Sequence, residues 1–254
     1  MELGAQLYTL RDYTTNLQDF AETLKKVADI GYRTVQVSGA CEYRPEWLKE
    51  QLQKNGLRCI LTHSDPETMR QDPLKAVEEH KAFDCKYIGI GCIPNGWLDF
   101  KKAYMSFAEQ FIPVAKIFRE QGSLLMYHNH DIEFARSDDG RIYLERMAED
   151  FAPDEMGFTL DTYWVQAGGG DPAYWIKKLS GRVPCIHLKD MTYDNGGMRM
   201  APVGAGNMNF DTILLACEQA GAEYLLVEQD DCYDKNPFDC LELSYKNLKA
   251  RGLK

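Results

Sequence analysis

Short apolar runs and longer amphipathic segments alternate along the whole chain. Eight runs have the length and apolar content of buried strands, and they cover residues 3–8, 34–39, 58–63, 87–92, 124–130, 156–162, 184–190 and 224–230. The segments between them repeat apolar residues at a spacing of about 3.6, which is typical of helices that pack one face on a sheet. The pattern therefore predicts eight strand-helix units.

Some residues in the amphipathic segments predict where a helix starts, bends or ends. Gly31 is expected to end the first helix, since glycine adopts the conformation that stops a helix. Pro113 should kink or divide the helix before the fifth strand, because proline lacks the N–H that the helix needs. Asp211 is the expected N-cap of the helix before the last strand. His80, on the helix before the fourth strand, is expected on the surface.

Eight such units in 254 residues match a single (β/α)₈ TIM barrel that spans residues 1–254. An open, doubly wound sheet is the main alternative. Such a sheet usually carries a glycine-rich phosphate turn after its first strand, and the corresponding stretch here, YTLRDYT, contains no glycine. The sequence also contains no linker or low-complexity tract, so the barrel is the favoured fold.

The composition limits the partners. The formal net charge is −10 and the pI is about 5.1, whereas nucleic acids and anionic membrane surfaces attract basic proteins. Neither partner is expected, and a small molecule is favoured. The sequence has no apolar run of about 18 residues, and the N-terminal stretch MELGAQLYTLRD lacks the basic start and apolar middle of a secretory signal. A cytoplasmic location is therefore expected.

Polar residues close most of the predicted strands. A TIM barrel carries its active site at the C-terminal ends of its strands, so these side chains are expected at one mouth. For any single one of them, capping or loop anchoring is an equal alternative. Four of the five histidines belong to the set, which consists of Gln6, Gln36, His63, His128, Asn129, His130, Asp161, His187, Lys189, Glu228 and Gln229.

Three of these residues form a candidate metal site. Asp161, His187 and Glu228 end three successive strands, which a closed barrel holds side by side. Two carboxylates and an imidazole suit Mn²⁺, Mg²⁺, Co²⁺ or Zn²⁺. Two buried carboxylates without a counter-charge would be costly, and a divalent cation would remove that cost.

Six stretches together resemble a known family: GAQLYTLRD, YHNHDIEF, FTLDTYW, CIHLKD, PVGAGNMNF and LLVEQD. They are similar to the xylose-isomerase-like TIM-barrel sugar isomerase/epimerase superfamily, and most similar to its sugar phosphate isomerase/epimerase group, which is related to inosose dehydratases and ketose 3-epimerases. The resemblance runs from the first strand to the last. It implies a metal-dependent isomerase or epimerase that acts on a keto-sugar, cyclitol or related polyol through an enediolate. Relatives often form dimers or tetramers, so a homo-oligomer is one expected state.

The resemblance also implies a ligand set. Ketose epimerases of this superfamily hold one metal ion with a Glu ending strand five, the Asp of an Asp-Thr pair ending strand six, a His ending strand seven and a Glu ending strand eight. Asp161, His187 and Glu228 match the last three. Where relatives often have Glu-Asn-His, this chain has His128-Asn129-His130. The expected fourth ligand is therefore His128, with Glu133 as the substitute, and Mn²⁺ is the expected metal.

The histidine at position 128 affects the mechanism that the resemblance implies. The epimerases use two metal-bound glutamates as paired acid and base, and only Glu228 remains here. Proton transfer is then expected from Glu228 or from a histidine that is not a ligand, His130 or His63. Isomerisation with one base, or elimination of a β-substituent, fits this set at least as well as two-base epimerisation.

Three alternatives to an isomerase remain. A lyase or dehydratase of the same fold, acting on an inosose or a 3-oxo-glycoside, is the first. A non-catalytic sugar-binding barrel is the second. An endonuclease of this fold is disfavoured by the net charge and by the small number of histidines.

Further residues are candidates for contact with the substrate. Lys189 lies two positions beyond His187 and should face the same side, where it either contacts substrate and assists catalysis or pairs with a carboxylate. Trp164 is either a sugar-stacking platform or a core aromatic residue. Arg199, in the loop at 194–206, could reach a substrate hydroxyl or phosphate. The remaining predicted substrate-binding residues are Gln6, Gln36, His63 and Glu133.

Overall fold

All eight predicted runs form parallel strands that close into a cylinder. The computed structural model describes residues 1–253. Its barrel strands are β1 (Glu2–Gln6), β2 (Thr34–Val37), β3 (Arg58–His63), β4 (Tyr87–Ile90), β5 (Leu124–His128), β6 (Met156–Asp161), β7 (Cys185–Leu188) and β10 (Tyr224–Val227). Between β7 and β10 the chain adds an antiparallel hairpin, β8 (Asp190–Asp194) and β9 (Gly197–Ala201). The barrel closes where β1 pairs with both β10 and β2, so the fold is a single (β/α)₈ barrel.

Helices cover the outside of the barrel. They are α1 (Leu17–Ile30), α2 (Pro45–Asn55), α3 (Pro66–Gln71), α4 (Pro73–Ala82), α5 (Phe100–Glu120), α6 (Tyr143–Asp150), α7 (Thr162–Ala167), α8 (Pro172–Lys178), α9 (Phe210–Ala220) and α10 (Pro237–Ala250). Short 3₁₀ segments follow β1 and β5, at Leu7–Tyr13 and Ile132–Phe134. Gly31 ends α1 as predicted. Among residues 1–253, no helix combines the length and the apolar character that crossing a bilayer requires.

The predictions for Asp211 and His80 are wrong, and of the two alternatives for Pro113 the division of the helix does not occur. α5 continues through Pro113 without division, because its buried face, including Phe111 and Val114 on either side of the proline, still packs against the core. The N-cap of α9 is Asn209 rather than Asp211, and its side chain accepts a hydrogen bond from the N–H of Thr212.

His80 is buried, although it was expected on the surface. It lies on the inward face of α4 with Ala76 and Val77. Its Nε2 lies 2.7 Å from the hydroxyl of Thr62, and its Nδ1 lies 2.6 Å from the carbonyl of Ala76. A buried imidazole is stable here because both nitrogens have partners.

Strand alternation places the site directly above an apolar floor. Side chains two residues apart on a strand face the same side, and an apolar residue precedes several of the polar strand-end residues by two positions. Four such pairs are Leu61 and His63, Met126 and His128, Cys185 and His187, and Leu226 and Glu228. The apolar members pack in one buried cluster with Ile60 and Tyr87. Part of the layer below the polar side chains is therefore apolar.

Glycines in and after β4 make room for the polar layer. A Cβ at Gly89 would come within 2.6 Å of the carbonyl oxygen of Thr62, and a Cβ at Gly91 would come within 3.0 Å of Nδ1 of His63. Since both positions lack a side chain, the ring of His63 can turn into the barrel mouth beside them.

The loop after the β8–β9 hairpin is fixed by one buried carboxylate. Asp190 accepts hydrogen bonds from the backbone N–H groups of Met191, Gly204, Gly206 and Met208, at 2.8 to 3.2 Å. A Cβ at Gly206 would come within 2.5 Å of this carboxylate, so the position requires glycine. The predicted loop at 194–206 is thus partly a strand and partly a tightly held turn.

Candidate metal centre and active site

Four side chains from neighbouring strand ends converge at one mouth of the barrel. His128, Asp161, His187 and Glu228 each offer one ligand atom, and these atoms all lie within 4.8 Å of one another. Nε2 of His128 is 3.1 Å from Oδ2 of Asp161, and Nδ1 of His187 is 2.9 Å from Oε2 of Glu228. All four side chains are buried. Two imidazole nitrogens and two carboxylate oxygens at this spacing could hold a divalent cation.

The hydrogen bonds behind the two imidazoles fit a metal site. Nδ1 of His128 lies 3.1 Å from the carbonyl oxygen of Gly91, and Nε2 of His187 lies 2.6 Å from the side-chain oxygen of Gln36. An oxygen of this kind accepts, so each of these nitrogens carries the proton and donates. The other nitrogen of each ring faces the two carboxylates and would offer a lone pair to a metal ion when the ring is neutral. Such acceptors behind the ring are typical of histidines that bind metal.

Asp161 and its neighbours are held by a second set of bonds. Its Oδ1 accepts from the N–H of Trp164 at 3.0 Å and so caps α7, which leaves Oδ2 to face the histidines. Its own N–H donates to the side chain of Asn129 at 3.0 Å. The hydroxyl of Thr162 donates to the carbonyl of Lys189 at 2.7 Å and accepts from the N–H of Lys189 at 2.9 Å. Asp161 therefore supplies one oxygen to the cluster, and Thr162 links β6 to the residue that follows β7 by two hydrogen bonds.

The ammonium of Lys189 lies among three carboxylates. It is 3.3 Å from Asp161, 3.2 Å from Glu228 and 2.7 Å from Asp230, and the residue is 1% exposed. Of the two alternatives for Lys189, the pairing with carboxylates describes these contacts. Burial opposes the charge on Lys189, but the three carboxylates outweigh it and raise the pKa of this group. Burial likewise opposes ionisation of Asp161 and Glu228, while the ammonium lowers the pKa of both.

The two histidines of the cluster differ in pKa. Burial disfavours the charged form of His187, but the carboxylates of Glu228 and Asp161 outweigh it and raise its pKa to about 9. Burial, and then the nearby His187, lower the pKa of His128. A divalent cation requires neutral imidazoles, so binding at this site would displace the proton of His187. The four side chains thus fit a site where a cation and the proton of His187 compete for the same nitrogen.

A cleft of about 460 Å³ opens above the four side chains. His63, His130 and Trp164 line it, and the rings of His130 and Trp164 are 5.3 Å apart. Burial lowers the pKa of His130 to about 3 and that of His63 well below its ordinary value, with His128 adding to both effects. Trp97 stands at the mouth with its ring 5.3 Å from that of His130. The cleft therefore offers neutral imidazoles and an aromatic wall.

Four predicted substrate-binding residues lie outside the cleft lining, and three of them are Gln6, Gln36 and Arg199. Gln6 and Gln36 are fully buried; the side-chain oxygen of Gln6 accepts from the N–H of Tyr8 at 3.1 Å, and that of Gln36 faces His187. Arg199 lies on β9, where its guanidinium is 3.2 Å from Asp194 and 3.7 Å from the ring centre of Tyr233. In this conformation none of the three is oriented toward a ligand in the cleft.

Glu133 also lies apart from the four ligand atoms. It is fully buried, its Oε1 accepts from the hydroxyl of Tyr127 at 2.5 Å, and its Oε2 accepts from the N–H of His130 at 2.7 Å. Burial raises its pKa to about 7, although these hydrogen bonds lower it. The carboxyl group therefore anchors the turn that carries His128 and His130, and the ligand cluster contains His128 instead.

A larger groove, of about 680 Å³, lies on the outer surface between α3 and α5. None of the four clustered side chains reaches it. The larger groove therefore lacks the clustered polar side chains. The smaller cleft is the candidate active site because it contains the convergent polar groups.

The sequence pointed to the four clustered residues but not to the contacts of the residues that support them. Asn129 and Thr162 were visible only as polar neighbours of ligands, and their roles depend on contacts between strands. Gln36 was selected as a strand-end polar residue, yet its partner His187 is 151 positions away in the chain. Nothing local in the sequence indicates that pairing.

Solved structures with the same fold come from several kinds of protein. A sugar phosphate isomerase/epimerase from Parabacteroides distasonis superposes with a TM-score of 0.82 at 23% identity, over 98% of this chain and 93% of that one. A probable 3-DHS dehydratase from Bacillus anthracis gives 0.74 at 16% identity, over 98% and 99%. An L-ribulose 3-epimerase gives 0.73 at 13% identity, over 98% and 94%. These likenesses are evidence of a shared fold.

No curated protein matches the sequence at a significant level. The family model described as xylose isomerase-like TIM barrel matches residues 24–239, which is most of the chain. This match agrees with the closed eight-stranded barrel and with the resemblance carried by the strand-end motifs. The chain belongs to the xylose isomerase-like TIM barrel family.

Proposed function

We propose that this protein is a divalent-metal-dependent isomerase or epimerase that acts on a keto-sugar, cyclitol or related polyol through an enediolate. One observation carries the proposal: the ligand atoms of His128, Asp161, His187 and Glu228 cluster at the C-terminal mouth of the barrel. The descriptions of the similar structures as a sugar phosphate isomerase/epimerase and an L-ribulose 3-epimerase support the reaction class. Mn²⁺ is the proposed metal, with Mg²⁺, Co²⁺ and Zn²⁺ as alternatives for this donor set.

The protein groups have distinct proposed roles. When bound, a divalent cation would act as a Lewis acid and make the C–H beside the substrate carbonyl more acidic. Glu228 is the proposed base, because its carboxylate is held at the mouth by contacts to His187 and Lys189. His130 lines the cleft and its Nδ1 has no hydrogen-bond partner among the described residues, so it can exchange a proton with a substrate hydroxyl. The Lys189 ammonium stabilises negative charge that develops on a substrate oxygen.

A lyase or dehydratase is the second candidate, and one contact favours it. Elimination needs a base for the C–H and an acid for the leaving group, and the Lys189 ammonium lies 3.2 Å from the Glu228 carboxylate. His128 stands where a second carboxylate would allow two-base epimerisation. The probable 3-DHS dehydratase of the same fold agrees with this alternative. An inosose or a 3-oxo-glycoside would be the substrate.

Proton exchange tests both candidates. The metal-loaded protein is incubated with ketoses, inososes and 3-oxo-glycosides in deuterated water, and products are followed by NMR. Deuterium at the carbon beside the carbonyl, without loss of a leaving group, is the expected result, while release of water or an aglycone would support the lyase. Glu228→Gln should slow exchange at least about 100-fold. Glu22→Gln, on the exposed face of α1, is the matched control and should not slow it.

A panel sugar that binds tightly without any proton exchange would contradict the proposal and favour a non-catalytic sugar-binding barrel. Exchange that continues unchanged after exhaustive chelation would contradict the metal dependence. Exchange that survives in Glu228→Gln at the wild-type rate would remove Glu228 from its role as base and leave the reaction class intact.

A further inference from the structure

We infer that the cleft selects an uncharged, polyhydroxylated substrate and disfavours the phosphate ester of the same sugar. This inference rests on the proposed function and specifies its substrate class. It contrasts with the description of the most similar fold reported above, a sugar phosphate isomerase/epimerase.

Three ring nitrogens in the cleft lack a hydrogen-bond partner among the described residues. Nε2 of His63, Nδ1 of His130 and Nε1 of Trp164 are buried, and none has a partner among the described residues. All three residues line the same cleft. A buried polar atom without a partner costs free energy, which a ligand recovers when it supplies the missing group. Hydroxyl groups both donate and accept, so a polyol can satisfy all three nitrogens.

One of the two cations of the cleft is paired with carboxylates, and the other is held by backbone carbonyls. Among the described residues that line it, Arg11 and Lys189 are the only arginine or lysine. Lys189 contacts three carboxylates, as given above. Nη1 of Arg11 donates to the carbonyls of Tyr8 and Asp230 at 3.0 and 2.9 Å, and the guanidinium lies 4.6 Å from the ring centre of Tyr8. Arg11 thus ties two loops together at the mouth.

Among the described residues that line the cleft, the charge balance leaves one cation, Arg11, for a phosphate. A divalent cation together with the Lys189 ammonium would just balance the carboxylates of Asp161, Glu228 and Asp230. Recognition of a phosphate normally uses a free arginine fork, a lysine or exposed backbone N–H groups at a helix start. The start of α7, which adjoins the site, is capped by the Asp161 carboxylate, and Arg199 is paired with Asp194. A dianion in this cleft would therefore meet carboxylates, and the single guanidinium of Arg11 would neutralise only one of its two charges.

Paired ligands test the inference. D-fructose with its 6-phosphate and L-ribulose with its 5-phosphate are offered to the Mn²⁺-loaded protein, and both binding and proton exchange are measured. Binding is measured by calorimetry, and the free sugar of a pair should bind at least about tenfold more tightly than its ester. An ester that binds equally or more tightly would overturn the inference, as would a failure of both free sugars to bind.

Binding and exchange separate this inference from the proposed function. A free sugar that is preferred in binding but shows no proton exchange supports the inference and contradicts the proposed function. An ester that is preferred and also exchanges its proton overturns the inference and supports the proposed function. Free Mn²⁺ is held constant with a buffer in all arms, because phosphate esters themselves bind the ion.

Substitutions at two positions test the physical basis of this selectivity. Trp164→Phe keeps an aromatic ring but removes the Nε1 donor, and it should weaken binding of the free sugar about fivefold. Trp97 is 59% exposed at the mouth, so Trp97→Lys can add a cation there, with Trp97→Gln as the neutral control. The lysine variant should bind the ester at least about threefold better than the glutamine variant, and added salt should reduce this gain. Identical ester affinities in the two variants would contradict the charge argument.

Discussion

The buried carboxyl group of Glu133 should make the stability of this protein depend on pH in a specific way. Glu133→Gln removes the titrating group and preserves its shape. The glutamine oxygen can still accept from the N–H of His130, and its amide can donate to the hydroxyl oxygen of Tyr127. The variant therefore isolates the cost of ionising this carboxyl group.

The size of the effect follows from the pKa of Glu133. Burial raises it from 4.5 to about 7 in the folded protein. The folded state thus holds the proton more tightly than the unfolded chain does. The resulting stabilisation is complete below pH 4.5 and is lost as the pH rises through about 7. The difference between these pKa values corresponds to about 3 kcal/mol.

The assay is urea unfolding followed by tryptophan fluorescence from pH 4.5 to 8.5, with chelator present so that metal binding does not contribute. Wild type and Glu133→Gln should have similar free energies of unfolding at pH 4.5. At pH 8.5 the variant should be more stable by about 3 kcal/mol. The free energy of unfolding of Glu22→Gln, at an exposed position, should change with pH as that of the wild type does. A Glu133→Gln curve that also runs parallel to the wild type at every pH would refute the reasoning.

Further substitutions test the supports of the site. Gln36→Met removes the acceptor behind a ligand histidine and should weaken Mn²⁺ binding about 10- to 100-fold by calorimetry; unchanged affinity would contradict the assigned tautomer. Gly206→Ala should destabilise the protein by about 1–3 kcal/mol in thermal melts, because its Cβ meets Asp190, whereas Gly197→Ala has open space and should be neutral. Equal melting temperatures for these two variants would argue against the tight turn. Lys189→Met leaves buried carboxylates unpaired and should cost about 3–5 kcal/mol in chelator, with a smaller loss in Mn²⁺; urea unfolding that shows no loss in chelator would rule out this pairing.

The barrel could be predicted because its strands are buried on both faces. Each strand is then a short apolar run, and each run contrasts clearly with the amphipathic helices beside it. The β8–β9 hairpin was not predicted because its strands mix polar with apolar residues and are only partly buried. One signal for it was present: Asn195 and Gly196, both with positive φ, form the two-residue turn that favours a hairpin.

The four clustered residues could be predicted because the fold brings strand ends together. Asp161, His187 and Glu228 needed only the order of the strands, and His128 followed from the family resemblance. The sequence could not tell whether a polar strand-end side chain faces the cleft or a neighbouring side chain. Gln36 illustrates this limit, since strand alternation places it inside the barrel but only the packed structure places it against His187.

The central claim is that four side chains hold one divalent cation at the barrel mouth, and anomalous diffraction tests it most directly. Crystals grown with MnCl₂ are measured on both sides of the manganese absorption edge. The account predicts one anomalous peak bonded to Nε2 of His128, Oδ2 of Asp161, Nδ1 of His187 and Oε2 of Glu228. Crystals with no peak at this position, or with a peak bonded to other residues, would contradict it.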